Sequence, residues 1–337
     1  MILADRANYK KKGRDMLSRR NLMGTGLAAA AVATATPHAF ALPGDHIKYA
    51  MSGHEFMPMK PHPEEGIKMT AWYGYHGLEP FDNETRKFRD KGQDFRVLKD
   101  KLDEVGLELC TIGSGGQYLD TTKFQDTLKN NLDNARYVKQ FGCNHLKVNL
   151  NGRPSNDRDM TPAELKVIAG HIDEIGKQMA DVGVRFAFHP HCWTVCERTV
   201  ELDYLMENTD PRYVWLTLDP GHATLGGIDP LRVMDIYYSR IAAMHLKDAE
   251  AKYNVRKAGW HGPAPSPEEH RRVNLYKRLG SGGVDFPAIF KILRARKWTG
   301  WATLDFSAEG LEGTIQDDMT RHKKYLVDVL KADLKHI

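Results

Sequence analysis

The chain has 337 residues, 41% hydrophobic and 27% charged, which is enough for a sizeable core and too apolar for a disordered chain. It holds no run of eighteen apolar residues, which argues against a membrane-spanning helix, and its four cysteines form no CxxC pair, which argues against a zinc ribbon or a disulfide scaffold. The formal net charge of +4 is unevenly spread: residues 1–41 carry seven Lys/Arg and two acids, leaving 41 basic and 42 acidic residues, a net of −1. The body of the protein therefore offers no electrostatic footprint for nucleic acid.

The N-terminus reads as an address. Ser18-Arg19-Arg20-Asn21-Leu22-Met23 follows a basic stretch and precedes an Ala-rich run, and Ala39-Phe40-Ala41 supplies a small-x-small cleavage pattern. This resembles a twin-arginine export signal over residues 1–41, with Met16 as an alternative start, and implies a periplasmic enzyme exported after folding.

Residues 42–66, rich in Pro, His, Met and Gly, read as an irregular lead-in, and residues 67–337 as one domain. Ile67 to His76 is expected to be a strand. Phe95, Leu98, Leu102 and Val105 then mark a helix ended by Gly106, Leu107 to Ile112 a second strand, and Phe124, Leu128, Leu132 and Ala135 a helix closed by Gly142. His145 to Asn151 is the third strand. Thr161-Pro162-Ala163-Glu164 opens a helix with a capping box and a first-turn proline. Further strands are expected at Val184 to His191, Val214 to Asp219, Ile241 to Lys247 and Trp301 to Phe306, each followed by a helix.

Such alternation demands a parallel sheet. The polar residues decide between open and closed forms. Lys147, Asn149 and Asn151 share one strand face; so do Ala187, His189 and His191, then Thr217 and Asp219, then Ala243, His245 and Lys247, then Thr303 and Asp305. Ionisable residues gathered at strand ends are the signature of a barrel mouth, so the expected fold is α/β, a single-domain (β/α)8 TIM barrel. Seven strands are clear; the eighth lies between Gly113 and Thr121 or before Ile67. His189, Asp219, His245 and Asp305, on successive strands, offer the converging N and O ligands that a divalent metal needs.

The segments His189-x-His191-x-x-Thr194-x-x-Glu197, Leu218-Asp219-x-Gly221-His222, His245-Leu246-Lys247-Asp248, Leu279 to Phe286 and Gly300 to Asp305 together resemble the xylose isomerase-like TIM-barrel superfamily. That group holds sugar isomerases and epimerases, 2-keto-myo-inositol and 3-dehydroshikimate dehydratases, and endonuclease IV. The resemblance implies Asp219 and His245 as ligands of one divalent ion (Mn, Co, Fe or Zn), with His189 where the family often has Glu and Asp305 where it nearly always has Glu. In epimerases those two Glu shuttle the proton. The His-x-His form is closer to the inositol-dehydratase branch.

The expected chemistry is enolisation of a keto-sugar or polyol. The metal polarises a carbonyl, His191 or His222 takes the neighbouring proton, and Lys247 stabilises the enolate oxygen. Returning the proton gives an isomerase or epimerase, the leading expectation. Expelling a β-hydroxyl or a glycoside oxygen gives a lyase, the alternative, and a non-catalytic sugar-binding barrel is a third reading. Lys147, Asn149 and Asn151 suit either hydroxyl recognition or an interior polar layer. Glu197 either orients His191 or opens the next helix, and Trp193 either stacks on a sugar face or packs on its neighbour. Cys192 and Cys196 are either paired or free. Residues 249–283 read as a long insertion at the mouth, a lid or an oligomer contact, and a homo-oligomer is compatible with the sequence.

Overall fold

Eight staves of parallel chain, seven of them single strands, form the frame on which every candidate residue is mounted. A computed structural model describes residues 46–53, 63–80, 85, 95–305 and 314–335; the export-signal reading and Phe306 lie outside the described residues. In chain order the elements are β1 (Ile47–Ser52), α1 (Pro63–Trp72), β2 (Gly77–Glu79), α2 (Phe95–Glu104), β3 (Glu108–Leu109), β4 (Gly113–Gln117), α3 (Phe124–Lys139), β5 (His145–Asn151), α4 (Pro162–Val182) and β6 (Arg185–Phe188). They continue as α5 (Thr199–Glu207), β7 (Val214–Leu218), α6 (Pro220–Leu225), α7 (Pro230–Tyr237), β8 (Ile241–Leu246), β9 (Asp248–Ala249), α8 (Val255–Ala258), α9 (Pro267–Val273), β10 (Tyr276–Lys277), α10 (Phe286–Ala295), β11 (Gly300–Leu304) and α11 (Ile315–Asp328).

The large sheet runs β3-β2-β1-β11-β8-β7-β6-β5-β4, parallel throughout. Its two ends are the same stretch of chain: only residues 110–112 separate β3, which pairs with β2, from β4, which pairs with β5. Thr111 bridges the break, its hydroxyl donating to the His145 carbonyl at 3.0 Å and accepting from the Lys147 amide at 3.2 Å. Counting β3 and β4 as one stave closes an eight-stave barrel, as the strand-end pattern requires.

Two expectations are corrected. The strand expected at Ile67 to His76 is mostly the helix α1; acidic Glu64 and Glu65 suit its first turn, and Ile67 and Thr70, one turn apart, share its buried side. The lead-in at 42–66 contains β1, a full barrel strand paired with β11 from Ile47↔Gly300 to Met51↔Leu304. Both faces of β1 are covered, so its sequence shows no apolar–polar alternation to betray it.

The main apolar cluster lies between strands and helices: Leu146, Val148, Met244, Leu246 and Leu304 belong to it, whereas the inward Ala187 and Ala243 do not. Helix α4 shows why the layer holds. Thr161 caps it with the Glu164 capping box, Gly183 ends it at φ 77°, and Leu165, Ile168, Ile172, Ile175 and Met179 are buried on one stripe. Burial of each such side chain contributes about 1.5–3 kcal/mol. No helix among the described residues is long and apolar enough to cross a membrane.

The insertion is pinned at its base. β9 pairs antiparallel with β10, and the Asp248 carboxylate accepts the amides of Ala249, Gly280, Gly282 and Val284 at 2.9–3.0 Å. A second apolar cluster of Cys192, Leu225, Ala249, Tyr253, Ala264, Leu275 and Tyr276 fills the space between insertion and mouth.

Candidate metal centre and acid–base wall

Three buried side chains converge at the C-terminal mouth. His189 follows β6, Asp219 follows β7 and His245 stands on β8; one ligand atom from each lies within 4.8 Å of the others. His189 Nε2 and His245 Nδ1 are each 3.5 Å from Asp219 Oδ2, and Asp305 brings its Oδ2 to 2.9 Å from His245 Nδ1.

Each member is aimed by what holds its far side. Asp219 caps α6: its Oδ1 accepts the amides of Gly221 and His222 at 2.8 and 2.9 Å, which turns Oδ2 toward the two imidazoles. Gly221 is required here, because a Cβ would lie 2.7 Å from the Lys247 carbonyl oxygen. His189 Nδ1 faces Asn149 Oδ1 at 3.2 Å, and His245 Nε2 faces both Glu79 oxygens at 3.1 Å.

The atoms turned inward fit a metal. His189 Nε2, Asp219 Oδ2 and His245 Nδ1 are buried and make no hydrogen bond of good geometry among the described residues. A buried polar group left so costs about 1–3 kcal/mol, a cost that a shared cation removes. Two imidazoles and two carboxylates form a donor set for a first-row divalent ion. Burial pushes the His189 imidazole down to about 3, so it is neutral and able to ligate. Burial alone would raise the Asp219 carboxyl, but His222, His189, His245 and Lys247 outweigh it and hold it well below the usual carboxylate range.

Beside the triad stands a wall of His191, His222, Lys247 and Tyr276. The two imidazoles lie with centroids 3.6 Å apart and their planes inclined by 34°. His191 Nδ1 lies 2.8 Å from the Cys192 carbonyl oxygen, which can only accept, so Nδ1 carries the proton and Nε2 is basic. His222 Nδ1 receives the Cys192 amide at 3.4 Å, an N–H that can only donate, so the His222 proton sits on Nε2. Tyr276 Oη is 2.9 Å from the same Nδ1. Burial pushes His191 down to about 4; burial, reinforced by His191, takes His222 well below its usual value. Lys247 Nζ lies 3.1 Å from Asp305 Oδ1 and 4.4 Å from the Tyr276 ring centroid.

Residues 67–325 match the family model described as xylose isomerase-like TIM barrel. An inosose dehydratase from Geobacillus kaustophilus is 30% identical over 234 residues, covering 63% of this chain and 72% of that protein. Among solved structures, the probable 3-DHS dehydratase AsbF from Bacillus anthracis superposes with a TM-score of 0.67 at 17% identity, covering 83% of this chain and 98% of that one. The IOLI protein with a bound zinc atom gives a TM-score of 0.65 at 14% identity, covering 84% and 98%. The chain belongs to the xylose isomerase-like TIM-barrel family.

Within this xylose isomerase-like barrel the structure gathers His189, Asp219, His245, Asp305, His191, His222 and Lys247 as the sequence anticipates. It gives other tasks to several residues expected to bind substrate. Asn149 holds His189, and Lys147 pairs with Glu79 at 2.5 Å. Asn151 lies exposed at the rim over Gly115. Glu197 does not orient His191. It accepts the Trp193 and Ala264 amides at 2.5 and 3.2 Å and so ties the turn after β6 to the insertion. The Trp193 indole donates to the Pro265 carbonyl at 2.8 Å and packs beside His270, so its partner is the insertion. Cys192 and Cys196 are free buried thiols in different clusters.

Two residues escaped the sequence reading. Glu79 ends a three-residue strand with no alternation around it, and Tyr276 sits in the insertion on a two-residue bridge. The one available signal for Glu79 was an acidic residue directly before Pro80 at a strand end.

Proposed function

We propose that the protein is a metal-dependent lyase that dehydrates a cyclic keto-polyol of the inosose class. The observation that carries this reading is the close, tilted His191–His222 pair with opposite tautomers. Epimerisation needs a base and an acid on opposite faces of one carbon. Two rings 3.6 Å apart on one wall cannot flank a carbon, but they can serve neighbouring carbons on the same side. Likeness to inosose dehydratases supports elimination over the isomerase and epimerase chemistry first expected, as does His189 at a position where the family often has Glu.

His191 Nε2 takes the proton α to the carbonyl, and the C–H electrons pass into the enolate. His222 Nε2–H gives its proton to the β-hydroxyl, the C–O bond breaks and water leaves, so an enone forms with no oxidant or reductant. Tyr276, hydrogen-bonded to His222 Nδ1, orients that imidazole, and Lys247, the cation of the same wall, would stabilise the enolate oxygen. A divalent ion held by His189, Asp219, His245 and Asp305 would supply Lewis-acid polarisation of the carbonyl.

The test supplies 2-keto-myo-inositol to chelated protein and to protein reloaded with Mn, Co, Fe or Zn. Ultraviolet absorbance follows the conjugated product, and mass spectrometry follows loss of one water. Metal-dependent absorbance with water loss is expected. A stereoisomer of unchanged mass would return the protein to the epimerases. Absence of both metal uptake and turnover would make it a binding barrel.

A further inference from the structure

We propose that Glu79 is a positioning residue that selects which nitrogen His245 presents to the metal site. The inference rests on the metal reading above and assigns a task to a residue that reading does not use.

In the barrel β2 and β8 are separated by β1 and β11, so Glu79 is no strand neighbour of His245; its carboxylate crosses the interior to reach the ring. Both Glu79 oxygens lie 3.1 Å from His245 Nε2. A carboxylate only accepts, so Glu79 holds a proton on Nε2, and Nδ1, which faces Asp219 Oδ2 (3.5 Å) and Asp305 Oδ2 (2.9 Å), is the nitrogen that gives up its proton to a cation bound there. His245 is fully buried, so bulk solvent does not supply that acceptor. Glu79 is itself 3% exposed, and a bare carboxylate there would be costly. Lys147 offsets that cost at 2.5 Å. The Glu79–Lys147 pair is therefore neutral overall and acts on the site through geometry. A mere filler of the barrel interior would be apolar; a paired carboxylate aimed at one ring nitrogen is a means of orienting that ring.

The experiment compares the full-length wild type with E79Q, K147M and the double variant E79Q/K147M. Co²⁺ and Zn²⁺ affinities are measured by competition with a chelating dye, the Co²⁺ visible spectrum is recorded, and melting of the metal-free proteins is followed. E79Q and the double variant are expected to bind metal about 10–100-fold more weakly, with an altered Co²⁺ spectrum. K147M, which keeps the imidazole contact but strands the Glu79 carboxylate, should melt lower than wild type yet bind metal more tightly than E79Q. Should E79Q misfold, the double variant, which strands no charge, decides. Unchanged affinity in folded E79Q or in the double variant overturns the inference. So does a loss in K147M equal to that in E79Q, which would assign the effect to the ion pair rather than to the ring. A wild type that takes up no metal overturns the metal reading itself, and the control alone shows that.

Discussion

The His191 and His222 rings sit in one largely buried wall, share the ordinary imidazole chemistry and yet differ in which nitrogen is basic. One faces a carbonyl oxygen and the other a backbone N–H, both from Cys192, so a single residue's peptide groups set opposite tautomers. This makes the two rings separable by experiment. Removing the base stops proton abstraction, whereas removing the acid leaves abstraction intact and stops expulsion of hydroxide. In D₂O, H191Q is expected to lose both solvent-deuterium exchange at the substrate α-carbon and product formation, by about 10²–10⁴-fold in kcat. H222Q should keep exchange and lose product. Equal loss of exchange in both variants would remove the assigned division of labour. The Tyr276 hydroxyl, 2.9 Å from His222 Nδ1, has a gentler role, and Y276F is expected to shift the pH profile of product formation without abolishing exchange.

At the scale of elements, the insertion is part of the wall, because Glu197 joins it to the turn that carries His191. Its two oxygens accept amides from Trp193 and Ala264, sixty-seven residues from Glu197 in the second case, and Trp193 adds its indole bond to Pro265. E197A leaves the half-buried Trp193 amide and the buried Ala264 amide without that acceptor, at about 1–3 kcal/mol for the buried one. Cleavage of the insertion between residues 254 and 275 in native-state proteolysis should therefore rise at least tenfold, while metal content stays at the wild-type level. An unchanged cleavage rate would mean that apolar packing alone holds the insertion. The same scale explains what the sequence could reveal. Strands β5 to β8 and β11 were legible because their inward faces carry small and ionisable residues against outward Leu, Val and Met. β1 and β2 were not: β1 is covered on both sides, and β2 is only three residues long. Missing β2 meant missing Glu79, and reading Ile67 to His76 as a strand placed the second stave ten residues early. The residues proposed to hold a metal, by contrast, were legible as a converging set because each stands at the end of a well-patterned strand.

For the whole molecule, folding stability carries the imprint of histidines outside the His189–Asp219–His245 cluster. Burial pushes His145, at the start of β5, down to about 4, and burial with help from Arg278 pushes His322, in α11, down to about 3. An unfolded chain protonates these rings near pH 6.5, whereas the folded chain does not until its own lower value is reached. The sign follows directly: below pH 6.5 the unfolded state binds more protons, so stability falls as pH falls. The loss continues until about pH 4 for His145 and about pH 3 for His322. Each ring contributes a limiting slope of about 1.4 kcal/mol per pH unit within its window. Carboxylates with lowered values, such as Glu164 at about 2 beside Arg158, act below the usual carboxylate range and leave the interval from pH 6.5 to 5 to the histidines. Denaturant unfolding of chelated protein at pH 7.5, 6, 5.5 and 5 should therefore show a steep decline below pH 6.5, and H322Q should remove about one proton's worth of slope. A chelated H322Q protein with the full wild-type slope would show that His322 is protonated in the fold, and that Arg278 and burial do not hold it neutral.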